Sequence, residues 1–364
     1  METNNKIKKK IVRIVITVLA ILLLKGLFIL SPAFEHFYFH RWYVWISIVL
    51  RQVLGNISFS IGDVIYAGWV ITGIIYLLKL CYKLVRMHWE DAAYVVLQGI
   101  HSLLAIYFTF LILWGYNYER NALASDLRLE VKPYTTPQLY QLADTLLQLV
   151  NQEKTNLGDT LHTISPNPDS ARVFDQAITA YGLAAKHWPA LHYQAPAIKR
   201  TLFGHWLNYI GVTGYLNPFT GEAQVNTTTP QLLHPFVTCH EIAHQLGYAP
   251  EEEANFVGYL VATQLPESRF RYAAHFEMLL HTVGQLARRD SSLTKDIWSR
   301  TVPGVKADYK SIINFYKAYS GPVDDYSRLL YDQYLKANNQ EKGIESYSEV
   351  VGWLIAYFKI GVSY

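Results

Sequence analysis

Cysteine is nearly absent from this chain of 364 residues, which has only Cys81 and Cys239. Two thiols cannot build a cysteine zinc cluster. They also fall in segments that read as different compartments, so a disulfide framework is not expected. Charge is scarce as well: Asp, Glu, Lys and Arg make up 17% of the residues, against about 25% in ordinary soluble domains. Neither sign dominates, with 32 basic residues facing 29 acidic ones for a formal net of +3. The basic residues gather at the N-terminus and form no stripe, so nucleic acid is not an expected partner. Internal repeats and low-complexity tracts are also missing, which argues against a solenoid or a disordered scaffold. What is present is apolar: 51% of residues are hydrophobic and 14% aromatic. An excess of that size calls for burial in lipid.

Three runs account for it. The first extends from about Ile14 to Leu30 and follows Lys6, Lys8, Lys9, Lys10 and Arg13. The sequence after it, Ser31-Pro32-Ala33-Phe34, offers no small-residue cleavage site, so the run reads as an anchor and not as a signal peptide. Lys25 can snorkel to the interface. The second run covers about 61–82, with its apolar part ending at Leu78, and the third about 92–114. Each approaches the roughly 20 residues that a helix needs to cross a bilayer. Gln98 and His101 in the third run are expected to form an interhelical hydrogen bond, because one Gln and one His do not make a transport pathway. Lys79, Lys83 and Arg86 follow the second run, whereas the loop between the first two has only Arg41 and Arg51. The positive-inside rule then places the N-terminus in the cytoplasm and everything after Tyr116 outside it, in a multi-pass protein of the cell (inner) membrane with lipid as a partner. The Trp- and Tyr-rich stretch Arg41 to Leu54 reads as an interfacial helix; as a short fourth span it would invert this topology. The organisation expected is a membrane anchor over 1–116 and an extracytoplasmic domain over 117–364.

That domain reads as mainly α with one small sheet. Leu139, Leu142, Leu146, Leu149 and Val150 line one face of a helix over Thr136 to Glu153, with Thr136-Pro137 as its cap and first turn. A polar connection over 156–169 leads to a second helix, Ser170 to Lys186. Pro196 to Gln231 is rich in glycine and lacks a helical period, as short strands and turns would. Helices are then expected over Leu233 to Leu246, Glu251 to Gln264, Arg269 to Arg288, Val305 to Tyr319, Asp324 to Asn338 and Ser346 to Phe358. The apolar C-terminus reads as a core helix and not as a further crossing.

The residues that suggest chemistry are His240-Glu241-Ile242-Ala243-His244. Positions i and i+4 share a helix face, so His240 and His244 present two imidazoles to one point, as a tetrahedral Zn2+ requires. Glu241 can then act as general base toward a zinc-activated water. Gly247 suits the turn that ends the helix, and Pro250 begins another. On that second helix Glu251 and Asn255 share a face. Glu251 is the expected third ligand with Asn255 supporting an imidazole, and Glu253 stays open as the alternative ligand. The run Phe219 to Asn226 is either an edge strand for an extended peptide or an ordinary hairpin strand. Tyr309, Tyr316, Tyr331 and Tyr334 are candidates for an oxyanion donor. Cys239, His205, His234, His275 and His281 read as structural.

Asn217 to Asn226, Thr238 to Tyr248, Glu251 to Tyr259 and Tyr331-Asp332-Gln333-Tyr334-Leu335-Lys336 together resemble a family of bacterial multi-pass membrane proteins of uncharacterised function. More distantly, the zinc part is similar to gluzincin peptidases, in which a Glu on the helix after HExxH is the third ligand. This chain departs from many of them in its short gap between His244 and Glu251. The resemblance implies a zincin-like α+β domain and zinc binding, but no particular substrate. A membrane-bound zinc metallopeptidase acting on a peptide or protein is therefore the expected function. The alternative is a non-catalytic, zinc-holding envelope protein that binds partners.

Overall fold

The computed structural model describes the chain except residues 1, 121–122, 124–126, 128, 159–161, 164–168, 338–348 and 362–364. It divides into two compact units, Met1–Tyr116 with Asn217–Gly221, and Asn117–Leu216 with Glu222–Tyr364.

In the first unit, α1 (Glu2–Leu30), α2 (Pro32–Phe37), a π-helical turn (Tyr38–Trp42), α3 (Tyr43–Gly55), α4 (Ile61–Val85) and α5 (Trp89–Leu113) follow in order. Helices α1, α4 and α5 are long and apolar enough to cross a membrane. They occupy the three apolar runs read from the sequence, and α1 starts earlier because its basic flank continues the helix. Helices α1 and α4 both pack on α5. Their outer faces leave Leu23, Val70, Leu78 and Leu103 exposed, a pattern that suits lipid and not water. Ser60 caps α4 by accepting from the Asp63 amide at 2.9 Å. The aromatic stretch is indeed helical as α3, and the turn before it is tied to α5 by Trp42 Nε1 donating to the Ile112 carbonyl at 2.9 Å. Gln98 and His101 form no hydrogen bond among the described residues, contrary to expectation.

The loop Asn217–Gly221 belongs to this unit. Asn217 Oδ1 accepts from the Phe219 and Thr220 amides at 3.0 and 3.2 Å, which fixes a tight turn. A Cβ at Gly62 in α4 would lie 2.5 Å from Asn217 Nδ2, so only glycine admits the loop there. The Phe219 ring meets Trp69 edge-on at 4.7 Å.

The second unit contains α6 (Thr136–Asn156), α7 (Ser170–Ala184), β1 (Ile198–Arg200), α8 (Gly204–Asn208), β2 (Gly214–Leu216) and β3 (Ala223–Val225). It continues with α9 (His234–Gln245), α10 (Glu251–Ala262), α11 (Ser268–Arg289), α12 (Ser291–Ser299), α13 (Pro303–Tyr319), α14 (Pro322–Ala337) and α15 (Val350–Tyr357). The chain is thus mainly helical with one small sheet. The cap of α6 is Thr135 and not Thr136; with Gln138 it forms a reciprocal capping box. Leu139, Leu142, Leu146 and Val150 of α6 are fully buried. They meet Val173, Ala177 and Tyr181 of α7 and the apolar faces of α9, α10 and α11 in one core. Helix α15 closes that core, with Trp353 stacked on Phe256 at 5.6 Å. Helices α8 and α12 were not expected. The first is a single turn, and the second opens on Asp290, whose side chain accepts from the Ser292 and Leu293 amides. Much of the 156–169 connection and the start of the 346–358 helix lie outside the described residues.

The sheet order is β1-β3-β2, with β1 parallel and β2 antiparallel to β3. This corrects one reading of Phe219 to Asn226. Phe219 lies in the loop, and Ala223–Val225 is the central strand, hydrogen-bonded on both sides, so it cannot be an edge for a peptide. Strand β2 is the edge on that side.

One buried charge pair ties α6 to α13. Lys154 Nζ lies 2.7 Å from Asp308 Oδ2 with both side chains almost fully enclosed, and the Tyr272 hydroxyl donates to the same oxygen at 2.6 Å. Breaking such a pair leaves a bare buried charge, whereas replacing both partners does not. Lys154→Met should destabilise the protein by about 3–5 kcal/mol in urea melts of the detergent-solubilised chain. The double variant Lys154→Met/Asp308→Leu should recover much of the loss. A single variant within about 1 kcal/mol of the native chain would show that the pair is not structural.

Candidate metal centre

Helix α9 carries the two histidines and is buried along its whole length. It ends where expected. Gly247 has φ of +90°, and the Gly247 and Tyr248 amides donate to the His244 and Ala243 carbonyls at 2.9 and 3.2 Å, the Schellman pattern that favours glycine. The turn aims the Tyr248 carbonyl back at His244, whose Nδ1 lies 2.7 Å from it. With Nδ1 donating, Nε2 presents its lone pair to the other side, which is how a carbonyl orients a ligand imidazole. Arg120 donates to the Leu246 carbonyl at 3.1 Å and sets positive charge at the helix C-terminus.

Helix α10 brings Glu251, its first residue, to the same place. Gly258 permits this approach: a Cβ there would lie 3.2 Å from the backbone of His240. His240 Nε2 and His244 Nε2 are 3.1 Å apart, and Glu251 Oε2 is 3.3 Å from the first and 3.7 Å from the second. Bonds of about 2.0–2.1 Å around a tetrahedral zinc separate neighbouring ligand atoms by about 3.3–3.4 Å. The three distances scatter around that edge length. Among the described residues, His240, His244 and Glu251 form the single group of three such side chains able to hold a metal ion. Glu253 is buried on the same helix but does not join them.

The electrostatics also suit a cation. Burial opposes a charged His244, but the nearby Glu251 carboxylate outweighs it and carries its pKa up to about 9. Burial likewise opposes ionised Glu251, yet the two imidazoles hold its carboxyl far below the usual range. Burial holds the His240 pKa down, offset in part by Glu251 and Asn255. His240 Nδ1, Asn255 Nδ2 and Glu251 Oε2 have no hydrogen-bond partner. Buried polar atoms are usually partnered, and these three stand together in one cluster. The Tyr331 hydroxyl donates to the other oxygen, Glu251 Oε1, at 2.8 Å, leaving Oε2 to face the imidazoles.

Glu241 stands beside this trio and outside it. Its carboxyl is pushed up to about 8, chiefly by burial, and its Oε2 has no partner. Its side chain lies over β2, where a Cβ at Gly214 would come within 2.6 Å of Glu241 Oε1. The remaining sequence candidates divide. Tyr334 pairs with the Tyr118 hydroxyl at 3.3 Å, Tyr316 feels the charge of Glu277, and Tyr309 packs on Trp298. Cys239 is fully buried. His234 and His275 are held in the interior by the Thr229 carbonyl and the Tyr259 hydroxyl, whereas His205 is exposed. Gly214 and Gly258 were not read as site residues. Gly258, a glycine inside an apolar helix, is a signal of close packing that could have been used.

A helical chain with three bilayer-length apolar helices and a buried two-His, one-Glu cluster is the class defined so far. The chain belongs to the family described as "Protein of unknown function (DUF3810)", whose sequence model matches residues 38–355. No curated protein and no solved structure matches it.

Purified full-length protein should contain about one zinc per chain by elemental mass spectrometry. His244→Ala should lose most of it, and Glu251→Ala should lose more than Glu253→Ala. The reverse order would move the third ligand to Glu253.

Proposed function

We propose that the chain is a membrane-bound zinc metallopeptidase of the cell envelope, with its second unit outside the cytoplasm. The observation that carries this reading is the spacing of His240 Nε2, His244 Nε2 and Glu251 Oε2, 3.1 to 3.7 Å apart, with Glu241 Oε2 buried and unpartnered alongside. This arrangement also fits the distant likeness to gluzincins and a zincin-like second unit.

His240, His244 and Glu251 would hold the zinc, and three protein donors leave a fourth position open. A bound zinc supplies Lewis acidity and brings the pKa of a water near 7. The protein's own residues do the rest. In its ionised form, which a nearby divalent cation would favour, Glu241 takes the proton of the attacking water at Oε2. It later returns that proton to the leaving amine, so that no free acid is needed at neutral pH. Its desolvated setting keeps the carboxylate basic enough for this exchange. Gly214 leaves room for the side chain, Tyr331 fixes the orientation of Glu251, and the Tyr248 carbonyl fixes that of His244. An extended peptide added to the β2 edge would pass beside Glu241.

Glu241→Gln keeps the size of the side chain and is not expected to remove zinc. Hydrolysis of a mixed peptide library by the full-length protein should fall by about 10²–10⁴-fold or more. Full retention of hydrolysis would place the chemistry elsewhere. Zinc held by the native chain without cleavage of any peptide would favour the non-catalytic, partner-binding alternative.

A further inference from the structure

The last carbonyls of a helix have no helical amide to pair with. At the end of α5 two of them are taken up by side chains of the π-helical turn Tyr38–Trp42. Trp42 Nε1 donates to the Ile112 carbonyl at 2.9 Å and the Tyr38 hydroxyl to that of Leu111 at 3.4 Å. These bonds hold the turn at one end of a helix long enough to cross a bilayer, the depth at which hydrocarbon gives way to headgroups. A groove of about 510 Å³ opens on the turn and the helices either side of it, a size within the roughly 300–1,000 Å³ of small-molecule sites. Its apolar wall is Phe37, Trp42, Val44, Trp45 and Ile48. Phe37, Val44 and Trp45 are each about half exposed, so no other part of this unit covers the groove. Trp42 and Trp45 brace one another, with ring centroids 5.7 Å apart.

The other two lining residues are Arg41 and His40, and no carboxylate joins them. Among the described residues the Arg41 side chain has no ion pair, hydrogen bond or ring contact. Arg51, the next arginine along the chain, is instead buried and donates to the Ser47 carbonyl at 3.1 Å. A guanidinium offers a planar fork of donors that matches two oxygens of a phosphate. Arg41 thus sets an unspent anion-binding group in an apolar groove, and the occupant must answer both. Inorganic phosphate would leave the tryptophan wall bare, and a neutral glyceride would leave Arg41 without a counter-charge. A phospholipid carries phosphate and hydrocarbon in one molecule, and its phosphate lies at headgroup depth. We propose that the groove binds one phospholipid, with its phosphodiester on Arg41 and an acyl chain along Trp45 and Ile48. The proposal does not depend on the metallopeptidase reading.

The test titrates delipidated, detergent-solubilised full-length protein with dioleoyl-phosphatidylglycerol and counts bound lipid by native mass spectrometry. Dioleoylglycerol, with the same chains and no phosphate, is the comparison ligand, and inorganic phosphate is the competitor. One phosphatidylglycerol per chain should bind about fivefold or more tightly than the glyceride, the share expected of one arginine at a lipid headgroup. Arg41→Gln should abolish that preference and Arg41→Lys should keep part of it. Arg13→Gln, which removes an exposed charge from α1, should leave it intact. Trp45→Ala should weaken both lipids alike, because it removes wall and not charge. Equal affinity for the two lipids, absence of binding, or a preference that survives Arg41→Gln would overturn the proposal. So would a preference that falls as far in Arg13→Gln, which would mark it as a general charge effect. Displacement of the lipid by millimolar inorganic phosphate would overturn it too, making Arg41 a site for free anions.

Discussion

Two imidazole nitrogens 3.1 Å apart, facing a carboxylate oxygen at 3.3 and 3.7 Å, need a shared proton or a cation to rest together in a protein interior. Three lone-pair atoms repel one another, and a low-dielectric setting strengthens that repulsion. A proton held on His244 is the smallest answer, and the raised pKa of that residue expresses it. In the proposed reading, a divalent cation would satisfy all three atoms at once. Much of the second unit serves to bring these atoms together. The Schellman turn at Gly247 aims a carbonyl at His244, Gly258 lets α10 lie against the backbone of His240, and Tyr331 turns Glu251 inward.

In the proposed reading, the same constraint would separate ligand from base. Glu251 begins α10, where the helix N-terminus favours a carboxylate, and two imidazoles hold it ionised. Glu241 is one residue along α9 from His240 and lies over β2, and burial outweighs the pull of His244 to raise its carboxyl. Two carboxylates in one site thus acquire opposite tendencies from their surroundings, the usual way in which a protein divides such roles.

Much of this was legible in the sequence, and the part that was not has a physical reason. Apolar length marked α1, α4 and α5, and the i, i+4 histidines followed by Gly247 and Pro250 marked the elements of the centre. Local pattern carries that information. Contacts between distant segments are not written in it. Nothing near Gly214 shows that Glu241 will lie across it, since β2 and α9 meet only after the sheet forms. The order β1-β3-β2 could not be inferred either, because strands of three residues have no readable face, and the hairpin strand was open to an edge reading for that reason. Tyr331 was one of several tyrosines with nothing local to set it apart, and its role comes from an α14 that folds back to Glu251. Asn217–Gly221 looked like an ordinary turn, yet it fits against the glycine at position 62, far away in sequence but in the same unit.

The centre is the claim on which the rest depends, and zinc K-edge X-ray absorption of the purified full-length protein tests it most directly. The account expects four-coordinate zinc with nitrogen and oxygen neighbours at about 2.0–2.1 Å, two of them imidazoles. A sulfur neighbour at about 2.3 Å, an imidazole count other than two, or no stoichiometric zinc would contradict it.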